Sequence, residues 1–210
     1  MRQNRPKIIG LTGGIATGKS TVSRILIGKG YALIDSDKIS RELVQVGKAA
    51  YNEIIQEFGT SILNDDKSIN RGALGKLIFN SSQARMDLNA ILHPHIVGET
   101  LVKIEKLSKS NKIIFLDIPL LFEVYGLFAD HGISFDEIWL VYTDRDTQVK
   151  RLMERDGIAR EEALKKIESQ MDIEEKRPRS SRIIDNRGNL QSLGLQVDRA
   201  LNELIQGSEG

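Results

Sequence analysis

Apolar positions along the chain fall into short unbroken runs that alternate with stretches of helical spacing. The run Ile8-Ile9-Gly10-Leu11, within Lys7 to Thr12, predicts a strand buried on both faces. A helix is expected from Gly18 to about Lys29, with Val22, Ile25 and Leu26 on one side and Gly28 and Gly30 ending it. Tyr31-Ala32-Leu33-Ile34 reads as a second strand, ending at Asp35-Ser36-Asp37 before a helical pattern through Ile39, Leu43 and Val44. From Gly47 to about Ser110 the spacing is helical at 51–58, 74–79, 86–92 and 96–107, with no convincing strand. Ile113 to Leu116 is the third apolar run, and Pro119 ends its pairing. Ile138 to Tyr142 is the fourth, followed by Thr143-Asp144-Arg145-Asp146 as the capped start of a helix through Val149, Leu152 and Met153.

Arg160 to Met171 is a further helical pattern. The stretch from Glu174 to Arg182 is dense in charge and poor in apolar residues, so it is expected to be mobile and unable to anchor in a core. Ile183-Ile184 is a minimal fifth strand, Asn186 to Asn189 a turn and Leu190 to Ile205 a closing helix, with a disordered tail after Gln206. Alternation of this kind implies an α/β protein in three layers, with a mainly parallel sheet of about five strands. One domain is expected over 7–206: a core of 7–46, 111–156 and 182–206, a helical insertion at 47–110, and a lid at 157–181.

Composition narrows the setting. A chain of 210 residues with no cysteine rules out disulfides, thiolate metal sites and cysteine nucleophiles, and it fits a reducing compartment, with the cytoplasm as the default. Thirty basic and 29 acidic side chains give a net charge of +1, so no global field draws nucleic acid or an anionic membrane. The polar, basic start from Met1 to Lys7 lacks the apolar core of a signal peptide, and the apolar runs are too short to span a bilayer.

Between the first strand and the first helix lies Gly13-Gly14-Ile15-Ala16-Thr17-Gly18-Lys19-Ser20, which fits Gly, four residues, Gly-Lys-Ser. Glycines let successive N–H groups converge on phosphate oxygens, and the helix opening through Thr21 turns its positive dipole end to the same anion. Lys19 suits the β- and γ-phosphates of a nucleoside triphosphate, and Ser20 a bridging Mg²⁺. Asp35 and Asp37, at a strand end, divide two jobs between them: one caps the following helix and the other serves chemistry, where a carboxylate can accept a hydroxyl proton. His93, in His93-Pro94-His95, is either a capping residue or a donor to an acceptor substrate, with Pro94 starting a helix. Asp117 either holds a Mg²⁺-bound water or closes a strand end, and Phe122 and Glu123 follow a proline-stiffened loop. Arg151, Arg155, Lys176, Arg177, Arg179 and Arg182 surround the charged stretch. Arg155 is chosen among them as the cation brought to the transferring phosphoryl.

Taken together the set resembles the dephospho-CoA kinase family from about Lys7 to Ile205. The resemblance rests on Ile9 to Ile15, Asp35-Ser36-Asp37, Asn70-Arg71, His93-Pro94, Asp117-Ile118-Pro119-Leu120-Leu121-Phe122-Glu123, Gln148 with Arg151-Leu152, Arg155-Asp156-Gly157, and Ile184-Asp185-Asn186. It implies a P-loop fold and ATP- and Mg²⁺-dependent phosphorylation of the ribose 3′-hydroxyl of dephospho-CoA, a small-molecule acceptor; the oligomeric state is left open, with a monomer slightly favoured. By the same resemblance Asp35 matches the general base. Asp37, Arg71, His93, Pro94, Leu120, Phe122 and Glu123 line the acceptor site, and Arg182 and Asn186 lie near adenine. Ala16-Thr17 stand where the family often has Gly-Ser, and Ser180-Ser181 replace a more usual Ala-Asp. The competing readings are a nucleoside or nucleotide kinase of the same fold, and a P-loop switch that transfers nothing. No Asn-Lys-x-Asp guanine-reading motif is present, since Asn111-Lys112 continues as Ile113-Ile114.

Overall fold

The computed structural model describes residues 5–206; the expected disordered tail and the first residues of the basic start lie outside them. The chain forms two compact units, one of residues up to Ile34 together with those from Leu107 onward, the other of Asp35–Lys106.

The first unit is built on β1 (Lys7–Gly13), followed by α1 (Lys19–Gly28) and β2 (Ala32–Asp35). In the second unit come α2 (Ser36–Leu43), α3 (Ala49–Phe58), α4 (Arg71–Asn80) and α5 (Ser82–Ser108). The chain then returns through β3 (Ile113–Asp117), α6 (Tyr125–Asp130), β4 (Glu137–Tyr142), α7 (Arg145–Asp156), α8 (Arg160–Glu168), α9 (Ile173–Lys176), β5 (Arg182–Asp185) and α10 (Leu190–Gln206).

The five-stranded sheet has the order β2-β3-β1-β4-β5. β1 pairs in parallel with β3 and β4, and β4 in parallel with β5. Side chains of a strand alternate between faces. Ile9, Leu11, Phe115, Trp139, Val141 and Ile184 therefore share one core with Val22 and Leu26 of α1 and with Leu193, Val197 and Leu204 of α10. Phe115 meets Tyr31 and Trp139 edge-on, with centroids 5.7 and 5.1 Å apart. Each such aromatic pair adds about 1 kcal/mol beyond its buried area. Leu140, Tyr142 and Ile173 form a separate cluster. In the second unit Ile54, Ile62 and Leu88 form the centre, with Val44, Leu74 and Leu92 packed around it.

Two expectations are corrected. Pro94 does not start a helix; it lies inside the continuous α5. A proline there withholds the N–H that would reach the Ala90 carbonyl, yet the helix runs on because Leu88 and Val97 on either side are buried. The charged stretch after Met171 is anchored rather than detached. Ile173 is buried, and Lys176 is 0% exposed with its Nζ 2.8 Å from Glu123 Oε1. Charge density alone is a poor guide where a partner is available.

Candidate active site

Gly18 and Ala16 set the shape of the loop between β1 and α1. Gly18 has φ +86, and a Cβ there would sit 2.1 Å from Asn186 Nδ2, so both conformation and space demand glycine. That amide donates to the Thr17 carbonyl at 2.8 Å, and Thr17 Oγ1 donates to the Gly14 carbonyl at 2.9 Å. Ala16 is left-handed with φ 58, which in a residue with a Cβ costs about 1–2 kcal/mol. The peptides flanking Ile15 are both held: Ile15 N–H donates to Gln170 Oε1 at 2.9 Å, and Gln148 Nε2 donates to the Ile15 carbonyl at 2.7 Å. With Gly18 in the capping position, α1 begins without a side-chain cap; Thr21 N–H donates to the Gly18 carbonyl at 2.9 Å, and the N–H groups of Lys19 and Ser20 before it suit an anion.

Lys19 forms a close ion pair with Asp117, whose other oxygen accepts from Ser23 Oγ at 2.6 Å. Both charged groups are largely shielded, at 17% and 6% side-chain exposure, which strengthens their attraction. Ser20 lies exposed beside them at the start of α1. The turn after β3 is tied to β1 by Thr12 Oγ1, which donates to the Pro119 carbonyl at 3.1 Å. Along that turn Phe122 is half-buried and Leu120 exposed. Glu123 accepts from the Met171 N–H at 3.0 Å and pairs with Lys176.

The basic residues are engaged in different ways. Arg151 donates to the Asn186 carbonyl at 2.8 Å, on the loop's own scaffold. Arg155 is instead engaged with its neighbour, Nε donating to Asp156 at 2.7 Å. Arg182 pairs with Glu137 and Glu203 and lies 5.6 Å above the Trp139 ring. Arg177 bonds Glu174 at 2.8 Å and sits 4.8 Å from the Tyr142 centroid. Hydrogen bonds from Arg177 and then Tyr142 hold the Glu174 carboxyl below its ordinary range, and the bond to Glu174 raises the Tyr142 hydroxyl.

In the second unit it is Asp35 that caps α2, its Oδ1 accepting from Lys38 N–H at 2.9 Å, so the cap falls on the residue that the resemblance names as base and the expected division of one job to each aspartate does not hold. Asp37 and Arg71 meet around one cavity of about 250 Å³, joined by Ser40 and Arg41 and walled by Ile54, Leu88 and Leu92. Arg71 opens α4 directly after Asn70, whose Oδ1 caps it by accepting from Ala73 N–H at 3.0 Å. His93 follows the wall residue Leu92 on α5 and is half-buried, and desolvation holds its imidazole below the ordinary 6.5. Its neighbour Pro94 is exposed. His95 contacts Glu53, Nε2 to Oε1, at 3.0 Å.

Sequence reasoning did not single out Ser23 or Gln170, and it gave Gln148 and Arg151 no role on the loop. Ser23 stands one helical turn after Lys19, a spacing that could have flagged it. Gln170 carries no local motif; its partner is 155 positions away.

A family model described as Dephospho-CoA kinase matches residues 7–192. The chain is 47% identical to the Dephospho-CoA kinase of Carboxydothermus hydrogenoformans over 191 residues, covering 90% of each protein. Among solved structures it resembles Dephospho-CoA kinase from Campylobacter jejuni, with a TM-score of 0.70, 31% identity and coverage of 96% of this chain and 98% of that one. A Thermus thermophilus crystal structure superposes with a TM-score of 0.76 at 31% identity, covering 97% and 98%.

Proposed function

We propose a division of labour among these residues from one premise: the chain belongs to the dephospho-CoA kinase family. It is an ATP-dependent transferase of P-loop fold that phosphorylates dephospho-CoA, a small molecule, at the ribose 3′-hydroxyl in CoA biosynthesis. The match over residues 7–192 carries this reading, because it takes in the loop, both aspartates of Asp35-Ser36-Asp37 and β5 at once.

Gly13 to Thr21 hold the triphosphate through those N–H groups of the loop and first turn that the protein does not itself engage, as it does at Ile15, Thr17 and Thr21. Lys19 leaves Asp117 for the β- and γ-phosphate oxygens when the nucleotide arrives, exchanging one anion for another of higher charge. Asn186 braces the loop through its bond to Thr17, and with Arg182 it lies near the adenine. Asp35 accepts the proton of the acceptor hydroxyl; its bond to Lys38 fixes the carboxylate's direction while leaving lone pairs for this task. Asp37, Arg71 and His93 hold the acceptor, with Pro94, Leu120, Phe122 and Glu123 completing its surroundings. Residues 157–181 form the lid, and Arg155 is released from Asp156 to meet the charge that develops on the transferring phosphoryl.

The donor set suits Mg²⁺: Ser20 offers a hydroxyl and Asp117 a hard carboxylate, and the described residues hold no cluster of three or more His, Cys, Asp or Glu to enclose a metal unaided. Such a sparse set fits an ion that keeps waters and takes phosphate oxygens as ligands. When bound, the ion supplies neutralisation of phosphate charge. Among the described residues no helix is long and apolar enough to cross a membrane. With no cysteine in the chain, the cytoplasm is the proposed location.

Coupled detection of ADP tests the reading. Saturable, Mg²⁺-dependent ADP release with dephospho-CoA is expected, and release with a nucleoside in its place would defeat the assignment.

A further inference from the structure

We infer that Gln148 and Gln170 are positioning residues that clamp the Ile15 peptides and thereby hold Ala16 in its left-handed conformation. The inference rests on the reading of this loop as the ATP site. Four observations converge on it. Ala16 is left-handed with φ 58, a state that a residue with a Cβ leaves when nothing holds it. The carbonyl of Ile15 belongs to the same peptide group as the N–H of Ala16, and it is the carbonyl that Gln148 Nε2 grips at 2.7 Å. The preceding peptide is gripped through Ile15 N–H by Gln170 at 2.9 Å. The Gln148 side chain cannot drift: it is 2% exposed, and a Cβ on Gly14 would stand 2.6 Å from Nε2.

The two amides come from different supports. Gln148 lies on α7, whose Val149 and Leu152 are buried in a cluster on which Ile15 and Ala16 also pack. Gln170 lies just before α9 and is followed at once by Met171, whose N–H is fixed on Glu123. Glu123 also pairs with Lys176. The stretch 170–176 is thus fastened to the phosphate loop at one end and to the turn after β3 at both. The shape of the nucleotide loop thereby depends on contacts made by that stretch. A glycine at 16 would make the clamp less necessary, since glycine takes φ > 0 freely. In this chain, which has alanine there, the clamp does what the residue's own preference does not.

A four-member cycle on the full-length protein tests this: wild type, Q148L, A16G and the double variant, each measured for ATP affinity by calorimetry and for kcat and KM. Loss of one neutral hydrogen bond together with the hold on Ala16 should raise Kd for ATP about tenfold in Q148L. In the A16G background the same change should raise it only about twofold, because the strain it guards is gone. Equal losses in both backgrounds would overturn the inference. Q170L supplies a second measurement that needs neither ATP nor the Gln148 core position: hydrogen exchange of the Ile15 amide in the nucleotide-free protein should accelerate at least about tenfold while Tm stays nearly constant. Unchanged exchange at Ile15 would also overturn it. Failure of the wild type to bind ATP would instead strike the functional reading and leave the exchange experiment to decide the clamp.

Discussion

At the level of single residues, Asp35 is where a structural task and the proposed chemical one meet. Asparagine caps a helix about as well as aspartate does, so Asp35→Asn should keep the bond to Lys38 and leave Tm within about 2 °C of wild type. A carboxamide cannot take a proton, so kcat should fall by at least about 100-fold. Parallel thermal melts and steady-state kinetics check both halves. Lys19→Ala removes the charge proposed to meet the transferring phosphoryl and takes from Asp117 its ion pair with Lys19. A drop in kcat/KM of roughly three or more orders of magnitude is expected. His93 gives a prediction in pH. Burial lowers its folded pKa below 6.5, so the unfolded chain binds the proton first, and stability is lost as pH falls below about 6.5. Melts between about pH 7.5 and 5.5 should show a decline that His93→Gln flattens. The carboxyls held low by their partners, such as Glu174 and Asp185, lose their contribution only at more acidic pH, which keeps the windows apart.

At the level of elements, legibility followed how local the cause was. The loop and the cap at Asp144, which accepts from Thr147 N–H at 2.9 Å, are set by neighbours within a few positions. These could be read from the order of residues, whereas the choice of Asp35 over Asp37 as the cap of α2 is left open by a spacing that suits both. Pro94 was misplaced because the proline rule speaks of local cost, whereas α5 is held by burial on both sides of it. The stretch around Lys176 was misplaced for a similar reason: composition counts charges but not their partners, and Glu123 is 53 positions away. That pair supports an asymmetric prediction. Lys176→Met places an apolar chain of similar length in a fully buried position and should cost less than about 1 kcal/mol or stabilise the protein. Glu123→Gln leaves a buried ammonium without its carboxylate and should cost more, about 2 kcal/mol or beyond even though Glu123 is partly exposed. Denaturant unfolding of the two variants distinguishes them; the reverse ranking would mean that the pair does not govern this element.

At the level of the whole molecule, the order β2-β3-β1-β4-β5 puts β1 at the centre of the sheet, so the loop that leaves it rests on the most buried strand available. Asp37 and Arg71, the proposed acceptor residues, belong to a separately packed unit with a cavity of its own. Chain order carried much of this: alternating strands and helices, then a helical stretch that breaks the alternation. What it could not carry were pairings between distant side chains, Gln170 with Ile15 above all. The most direct test of the central claim is the position of the new phosphate. Purified protein incubated with ATP, Mg²⁺ and dephospho-CoA should yield ADP and a product that phosphorus NMR identifies as the ribose 3′-phosphomonoester. A phosphate placed elsewhere, or ADP formed with dephospho-CoA unchanged, would contradict the account.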